Sequence, residues 1–246
     1  MEQTYLVNAL VLDKNPWREN DTRVFLYTRE IGRLDLVVRG AKKLGSKLAG
    51  RLEPFCQAEI MVIAGRQLSY AGGVATGQSY SRLNSDYDKL MAAGRVVALV
   101  LRLTREGVSD QALYQLLVEY FTLSDQAVKR VVQARFLALA AQLKILAALG
   151  LIGDSHFCAS CAVSLRGNGW FLPSGEIVCR SCRPALSQSN GLAGEQSSIE
   201  LGSTAINLLQ KLSDGSLEQA VRGCHLDKQG LLKLEQVAAT ISQNQQ

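Results

Sequence analysis

Apolar and polar positions divide the chain into stretches of different period. Over the first 80 residues the apolar runs are short and rich in β-branched and aromatic side chains. Tyr5–Leu12 is one such run, closed by Asn15-Pro16, because proline cannot donate to a central ladder. Thr22–Thr28 carries Val24, Phe25 and Tyr27, Gly32 punctuates, and Leu34–Arg39 follows as a third strand. Glu59–Ala64 and Leu68–Tyr70 form a hairpin across Gly65-Arg66-Gln67, and the Gly-rich Ala71–Gln78 ends the fifth strand. Five short strands in this space predict a small barrel or sandwich.

From about Asp86 the period becomes helical. Leu90, Val97 and Leu101 share one spacing, and Val96, Val100 and Leu103 another. Asp110–Leu123 reads as a second helix capped by Ser109. Val128, Val132, Phe136, Leu139, Leu143 and Leu146 step by three and four toward Gly150, a left-handed stop. Residues 154–183 break the pattern with cysteines. Ala185–Ser198 reads as a Ser/Gly/Gln-rich linker, and Glu200–Leu212 and Lys228–Ile241 as two further helices.

The 246 residues carry a net charge of +5, too little to name a partner. Its distribution is more telling. Residues 1–80 hold 11 basic and 8 acidic groups, residues 81–153 hold 9 and 6, and residues 185–246 reverse to 4 and 6. Arg39, Lys42, Lys43, Lys47 and Arg51 fall in one acid-free, Gly-rich segment between the third and fourth strands. Two readings of it stand: a solvated surface loop, or a flexible arm whose cations neutralise phosphates along a nucleic-acid strand. A nucleotide-binding P-loop is excluded, since the Lys must follow the second Gly and here Ser46 intervenes after Gly45. Arg23, Arg29 and Arg33 lie on or between the second and third strands. Arg23 and Tyr27 have the parity of one sheet face, either an ordinary polar face or one that holds backbone and stacks bases.

Four of six cysteines form two pairs, Cys158-x2-Cys161 and Cys179-x2-Cys182, with 17 residues between; Cys56 and Cys224 stand alone. That spacing fits a zinc ribbon, with Gly167-Asn168-Gly169 and Pro173-Ser174-Gly175 as turns and Trp170-Phe171-Leu172 as an apolar strand. Four protein ligands leave no open position, so one structural Zn2+ is expected. A redox dithiol is the alternative, but its usual βαβ setting is missing. His156 stands close enough in sequence to replace a sulfur, though four cysteines already complete a site. With two histidines and no nucleophile or metalloprotease signature, the chain carries no sign of a catalytic centre. No apolar run approaches a membrane span and the start lacks a basic leader, so a cytoplasmic protein is expected.

These features together resemble the RecO family of bacterial DNA repair proteins. The matching segments are Trp17-Arg18-Glu19-Asn20-Asp21, Thr28–Gly32, Val38-Arg39-Gly40-Ala41-Lys42-Lys43, Leu52-Glu53-Pro54-Phe55, and Arg135-Phe136-Leu137 running to Leu149-Gly150. The likeness covers about residues 1–183 and thins across 185–246. It implies an α+β multidomain protein: an N-terminal OB-fold over 1–80, then an α-helical domain over 81–246 bearing the zinc element at 154–183. It further implies a non-enzymatic mediator, nucleoid-associated, that binds single- and double-stranded DNA and anneals complementary strands. With RecR such a protein helps load RecA onto DNA coated by single-strand-binding protein. Some members lack the cysteines, which favours a structural metal. Carried over, the DNA-binding set is Arg39, Lys42, Lys43, Lys47 and Arg51, with Arg23 and Arg33 beside them; the metal set is Cys158, Cys161, Cys179 and Cys182. The helical domain docks the acidic, apolar tail of single-strand-binding protein, and Lys129, Arg130 and Arg135 are cations there that the likeness does not fix. A rival reading is a zinc-ribbon module for protein interaction, with incidental DNA binding. A third, a metal-dependent hydrolase, requires fewer than four protein ligands.

Overall fold

The computed structural model describes residues 3–46, 48–126, 131–183, 198–222, 224 and 226–244. It forms two compact units, residues 1–131 and 132–246.

In the first unit, β1 (Gln3–Pro16), β2 (Thr22–Thr28), β3 (Gly32–Val38), β4 (Cys56–Ala64) and β5 (Ser69–Ser79) close a barrel in the order β1-β2-β3-β5-β4. Residues two apart share a face, and the inward set (Val7, Ala9, Val11, Val24, Leu26, Leu34, Leu36, Val38, Ala58, Ile60, Val62) makes one buried core. β1 is long enough to serve both neighbours. Its first half pairs with β4 and its second with β2, with an irregularity between Val11 and Asp13 that turns it across the barrel. A short parallel contact of β3 with β5 closes the ring, giving the five-stranded OB architecture. β1 runs through Asn15-Pro16 rather than ending before it. Pro16 is exposed and forms the last registered pair, with Thr22, where the ladder ends.

Three residues, 29–31, bridge β2 and β3 tightly. Thr28 Oγ1 donates to the Gly32 carbonyl at 2.8 Å and accepts from Ile31 N at 3.1 Å. Gly32 is buried with φ +72°, and a Cβ there would meet the Val108 carbonyl oxygen at 1.8 Å. Gly32→Ala therefore combines backbone strain with a clash against main chain. It is expected to destabilise the first unit by about 3 kcal/mol or more, read as a lowered chemical-denaturation midpoint.

Helices α1 (Ser81–Asn84), α2 (Tyr87–Leu103) and α3 (Gln111–Gln126) belong to the same unit. The compact unit thus extends beyond the 1–80 segment because barrel and helices share buried contacts. Phe55 stacks edge-on against Phe121 at 5.5 Å, with Tyr80 and Tyr120 packed on the same ring. Asp86 caps α2 by accepting from Asp88 N and Lys89 N. α3 is capped by Asp110, whose Oδ1 accepts from Leu113 N, rather than by Ser109.

The second unit opens with α4 (Val131–Ala148), buried on nearly every side through Leu137–Ala141, Leu143, Ile145 and Leu146. A helix apolar all round is a core helix. Gly150 follows with φ +73°; Val128 lies outside the described residues. The cysteine module contributes β6 (Gly169–Phe171) and β7 (Ile177–Val178), and β8 (Ile199–Leu201) adds to the free edge of β6. Glu200 and Leu201 are thus strand rather than helix, and α5 begins only at Ser203 (Ser203–Asp214). α6 (Leu217–Arg222) and α7 (Lys228–Gln243) complete the unit. Most of the linker expected at 185–198 lies outside the described residues.

Candidate nucleic-acid interface and metal centre

The cations of the 39–51 segment stand on a built scaffold. Gly40 N donates to the Asp21 carboxylate at 2.9 Å, and Lys42 N to the Asn20 carbonyl at 3.0 Å. Lys43 N bonds back to Gly40 O and Ser46 N to Lys43 O. The described part is therefore a chain of hydrogen-bonded turns pinned to the β1–β2 connection, not the freely flexible arm that its glycines suggested. Arg39, Lys42, Lys43 and Arg51 are exposed. Both ends of the segment engage β5. Arg39 lies 3.9 Å over the Tyr70 ring, and Arg51 Nη1 donates to Val74 O at 2.9 Å. The Lys42 ammonium donates to Arg18 O at 3.0 Å. Lys47 lies outside the described residues.

The adjoining outer face of β2, β3 and β5 is an array of cations and aromatics. In register, Arg23 faces Val37, and Val37 faces Tyr70. The Arg23 guanidinium sits 5.3 Å from both Trp17 and Phe25. These stacks are rigid, amphipathic surfaces of the kind on which bases stack. Trp17, Phe25 and Tyr70 had not been singled out from sequence as stacking residues. The odd-numbered parity that Phe25 shares with Arg23 places both on one face of β2. Tyr27 does share the Arg23 face, but it is buried, and burial together with nearby Asp110 pushes its hydroxyl up to about 12. It is covered and offers no platform.

Arg33 is also engaged internally. Its Nη1 donates to Leu101 O at 2.7 Å, at the end of α2, and its guanidinium reaches Asp35. Asp35 is 4 % exposed and also binds Arg23 at 2.8 Å. Burial, with Asp35 beside it, raises the Glu106 carboxyl above its ordinary range. These acids offset Arg23 and Arg33, whereas the 39–51 segment holds five cations and no acid.

In the second unit all four sulfurs of Cys158, Cys161, Cys179 and Cys182 lie within 4.8 Å of one another. Two tight turns place them. Ala162 N bonds to Cys158 O with Ala162 at φ +56°, and Cys182 N bonds to Cys179 O. Tetrahedral Zn–S bonds of about 2.3 Å give sulfur–sulfur edges of about 3.8 Å, and Cys161 Sγ is 3.8 Å from Cys179 Sγ. Against the burial that opposes it, backbone N–H groups of Cys179, Cys161 and Ser160 draw the Cys158 thiol down to about 6. Cys182 goes the other way: although Ser160 favours its thiolate, the Cys161 and Cys179 sulfurs push it up to about 12. One thiolate forms readily and its neighbours resist a second charge, which is a donor set that a divalent cation completes. These residues could hold a metal ion, and the set fits zinc.

His156 is not part of this cluster. Its Nε2 lies 3.0 Å from Asp214 Oδ1 at the end of α5. Arg135 pairs with Glu235 of α7 at 2.8 Å and is half exposed. Lys129, Arg130 and His225 lie outside the described residues. No helix among the described residues is long and apolar enough to cross a membrane.

A family model described as Recombination protein O N terminal matches residues 1–80, and one described as Recombination protein O C terminal matches residues 84–245. Similar curated proteins include the DNA repair protein RecO of Synechococcus sp. (strain JA-3-3Ab), 31 % identical over 230 residues, spanning 88 % of this chain and 75 % of that protein. The DNA repair protein RecO of Gloeobacter violaceus is 27 % identical over 225 residues, spanning 89 % and 80 %. That of Pelotomaculum thermopropionicum is 30 % identical over 179 residues, spanning 72 % and 68 %.

Proposed function

The chain belongs to the Recombination protein O family, and from that premise we propose that it acts in DNA repair as a recombination mediator that binds DNA and anneals strands. The observation that carries this reading is the cationic turn chain beside the Arg23, Trp17, Phe25 and Tyr70 array. The fixed cations Arg39, Lys42, Lys43 and Arg51, with Lys47, neutralise phosphates. That lowers the repulsion between two approaching backbones. The aromatic face holds bases of a single strand apart from their neighbours. Base pairing then drives the product, so no nucleotide hydrolysis and no catalytic residue are required.

The partners follow from the family. With RecR, the protein helps load RecA onto DNA coated by single-strand-binding protein, whose acidic tail meets the helical domain. One zinc ion, held by Cys158, Cys161, Cys179 and Cys182, is structural, because four sulfurs fill its coordination. The working place is the cytoplasm, at the nucleoid.

Salt dependence tests the electrostatic core of this reading. Five neutralised phosphates on single-stranded DNA give a log–log slope of roughly −3.5. A slope near zero in a fluorescence anisotropy titration would remove the 39–51 segment from the interface. The rival reading, a ribbon that binds a protein partner, draws on two half-exposed apolar side chains of the cysteine module, Phe157 and Val163. ATP-free annealing by the purified chain separates the two, since the ribbon reading expects none.

A further inference from the structure

The open end of the barrel holds a cleft of about 280 Å³ that the electrostatic account above does not use. Its walls are apolar: Val24 and Val38 from the barrel's inward face, Leu48 and Leu52 from the β3–β4 connection, and Ala41 on the basic turn chain. One side is polar, lined by Asn15 and Thr22 at the last pairs of the β1–β2 ladder. Lys14 and Lys42 are its lining cations, and none of the lining residues is acidic. Lys14 is paired with Glu53, whereas the Lys42 ammonium is exposed and donates to the Arg18 carbonyl.

Size and chemistry limit the occupant. Pockets for drug-sized ligands run to about 300–1,000 Å³, so this one suits a single flat group and not a dinucleotide. The group must be apolar on its faces, carry a hydrogen-bonding edge for the amide and hydroxyl, and be attached to an anion that meets lysine. A nucleobase with its 5′ or 3′ phosphate has all three properties. An acidic peptide side chain has the charge but not the apolar faces.

We propose that this cleft receives one unstacked base of a bound single strand, with Lys42 on the adjoining phosphate and Asn15 and Thr22 along the base edge. The proposal rests on the DNA-binding reading and adds a base-selective site to it. A base held there is turned out of its stack, which prevents hairpin formation in the strand and presents its neighbours for pairing. Duplex DNA, whose bases are already stacked and paired, does not fill the cleft.

The test uses the full chain, an oligothymidylate, an abasic deoxyribose-phosphate chain of the same length, and a duplex. The unaltered protein is expected to bind oligothymidylate about ten-fold more tightly than the abasic chain. Ala41→Trp fills the cleft without removing a cation, and is expected to reduce that preference to the part that stacking on the aromatic array supplies, while leaving duplex affinity and the salt slope unchanged. If Ala41→Trp does not fold, the double variant Asn15→Ala/Thr22→Ala alters the cleft's polar side alone and is expected to reduce the preference about three-fold. An undiminished preference in a folded Ala41→Trp protein, or in the double variant, overturns the cleft assignment. Equal binding of thymidylate and abasic chains by the unaltered protein also overturns it but leaves the phosphate-binding reading intact. Absence of salt-sensitive binding to any of the three overturns both.

Discussion

Replacing Lys42, Lys43 and Lys47 together by alanine is expected to weaken binding to single-stranded DNA about 100-fold at 0.1 M salt, with the fold intact. The magnitude follows from counterion release. Each phosphate contact contributes about 0.7 to the log–log slope on a single strand, so three lost contacts remove about 2.1 units of slope and two decades of affinity at 0.1 M. The loss should shrink toward nothing as salt approaches 1 M. The structure explains why folding survives. Lys42 and Lys43 are exposed, and apart from the Lys42 ammonium's bond to Arg18 O the bonds that hold the turn chain are donated by main-chain N–H groups: Gly40 N to the Asp21 carboxylate, Lys42 N to Asn20 O and Lys43 N to Gly40 O. Alanine keeps all of them. Exposed substitutions of this kind usually change stability by about 0.5 kcal/mol or less. The check is anisotropy across a salt series, paired with thermal unfolding. Unchanged affinity with a normal unfolding curve would move the DNA site off this segment.

Cys161→Ser is expected to remove the bound metal and unfold the ribbon while sparing the first unit. Cys161 is exposed, so the lost sulfur costs little packing. The large effect comes through coordination. Structural zinc contributes about 10–16 kcal/mol of apparent binding free energy in small zinc domains, and that free energy is folding free energy there. Without it, the two cysteine turns lose their cross-link, and the strands between them are only three and two residues long. Zinc content should fall from one per chain to well under half, and limited proteolysis should cut within 154–183. Affinity for single-stranded DNA should change less than about three-fold, because the phosphate contacts lie in 39–51. A loss as large as that of the triple lysine variant would instead place the nucleic-acid contact on the ribbon. Full zinc retention would show that three sulfurs suffice and that the fourth position is open.

Sequence reading captured those parts of the molecule that depend on short-range pattern. Short apolar runs rich in β-branched and aromatic residues marked the barrel strands, and alternate positions of them, Val7, Ala9 and Val11 or Leu34, Leu36 and Val38, enter one core. The two CxxC turns fixed four ligands because each pair is placed by its own local hydrogen bonds, Ala162 N to Cys158 O and Cys182 N to Cys179 O. Asp86 announced the start of α2 in the same local way.

What the sequence alone determined, then, is the strand set, the helical stretch, the four sulfurs that could hold a metal and the acid-free run of cations, since each is written within a few neighbouring residues. Tertiary structure decided which of those groups remain available. Tyr27 and Phe25 are equivalent by parity, yet the chain leading into α3 covers Tyr27 and leaves Phe25 beside Arg23. Arg33 and Arg39 are both arginines at the ends of one strand, yet Arg33 bonds to a carbonyl 68 residues away while Arg39 stacks on Tyr70. β8 completes the ribbon sheet from beyond the expected linker, although a run of Ile-Glu-Leu ahead of a helix gives no local sign of its partner. Burial of this kind is set by groups distant in sequence, and a local pattern carries no record of them.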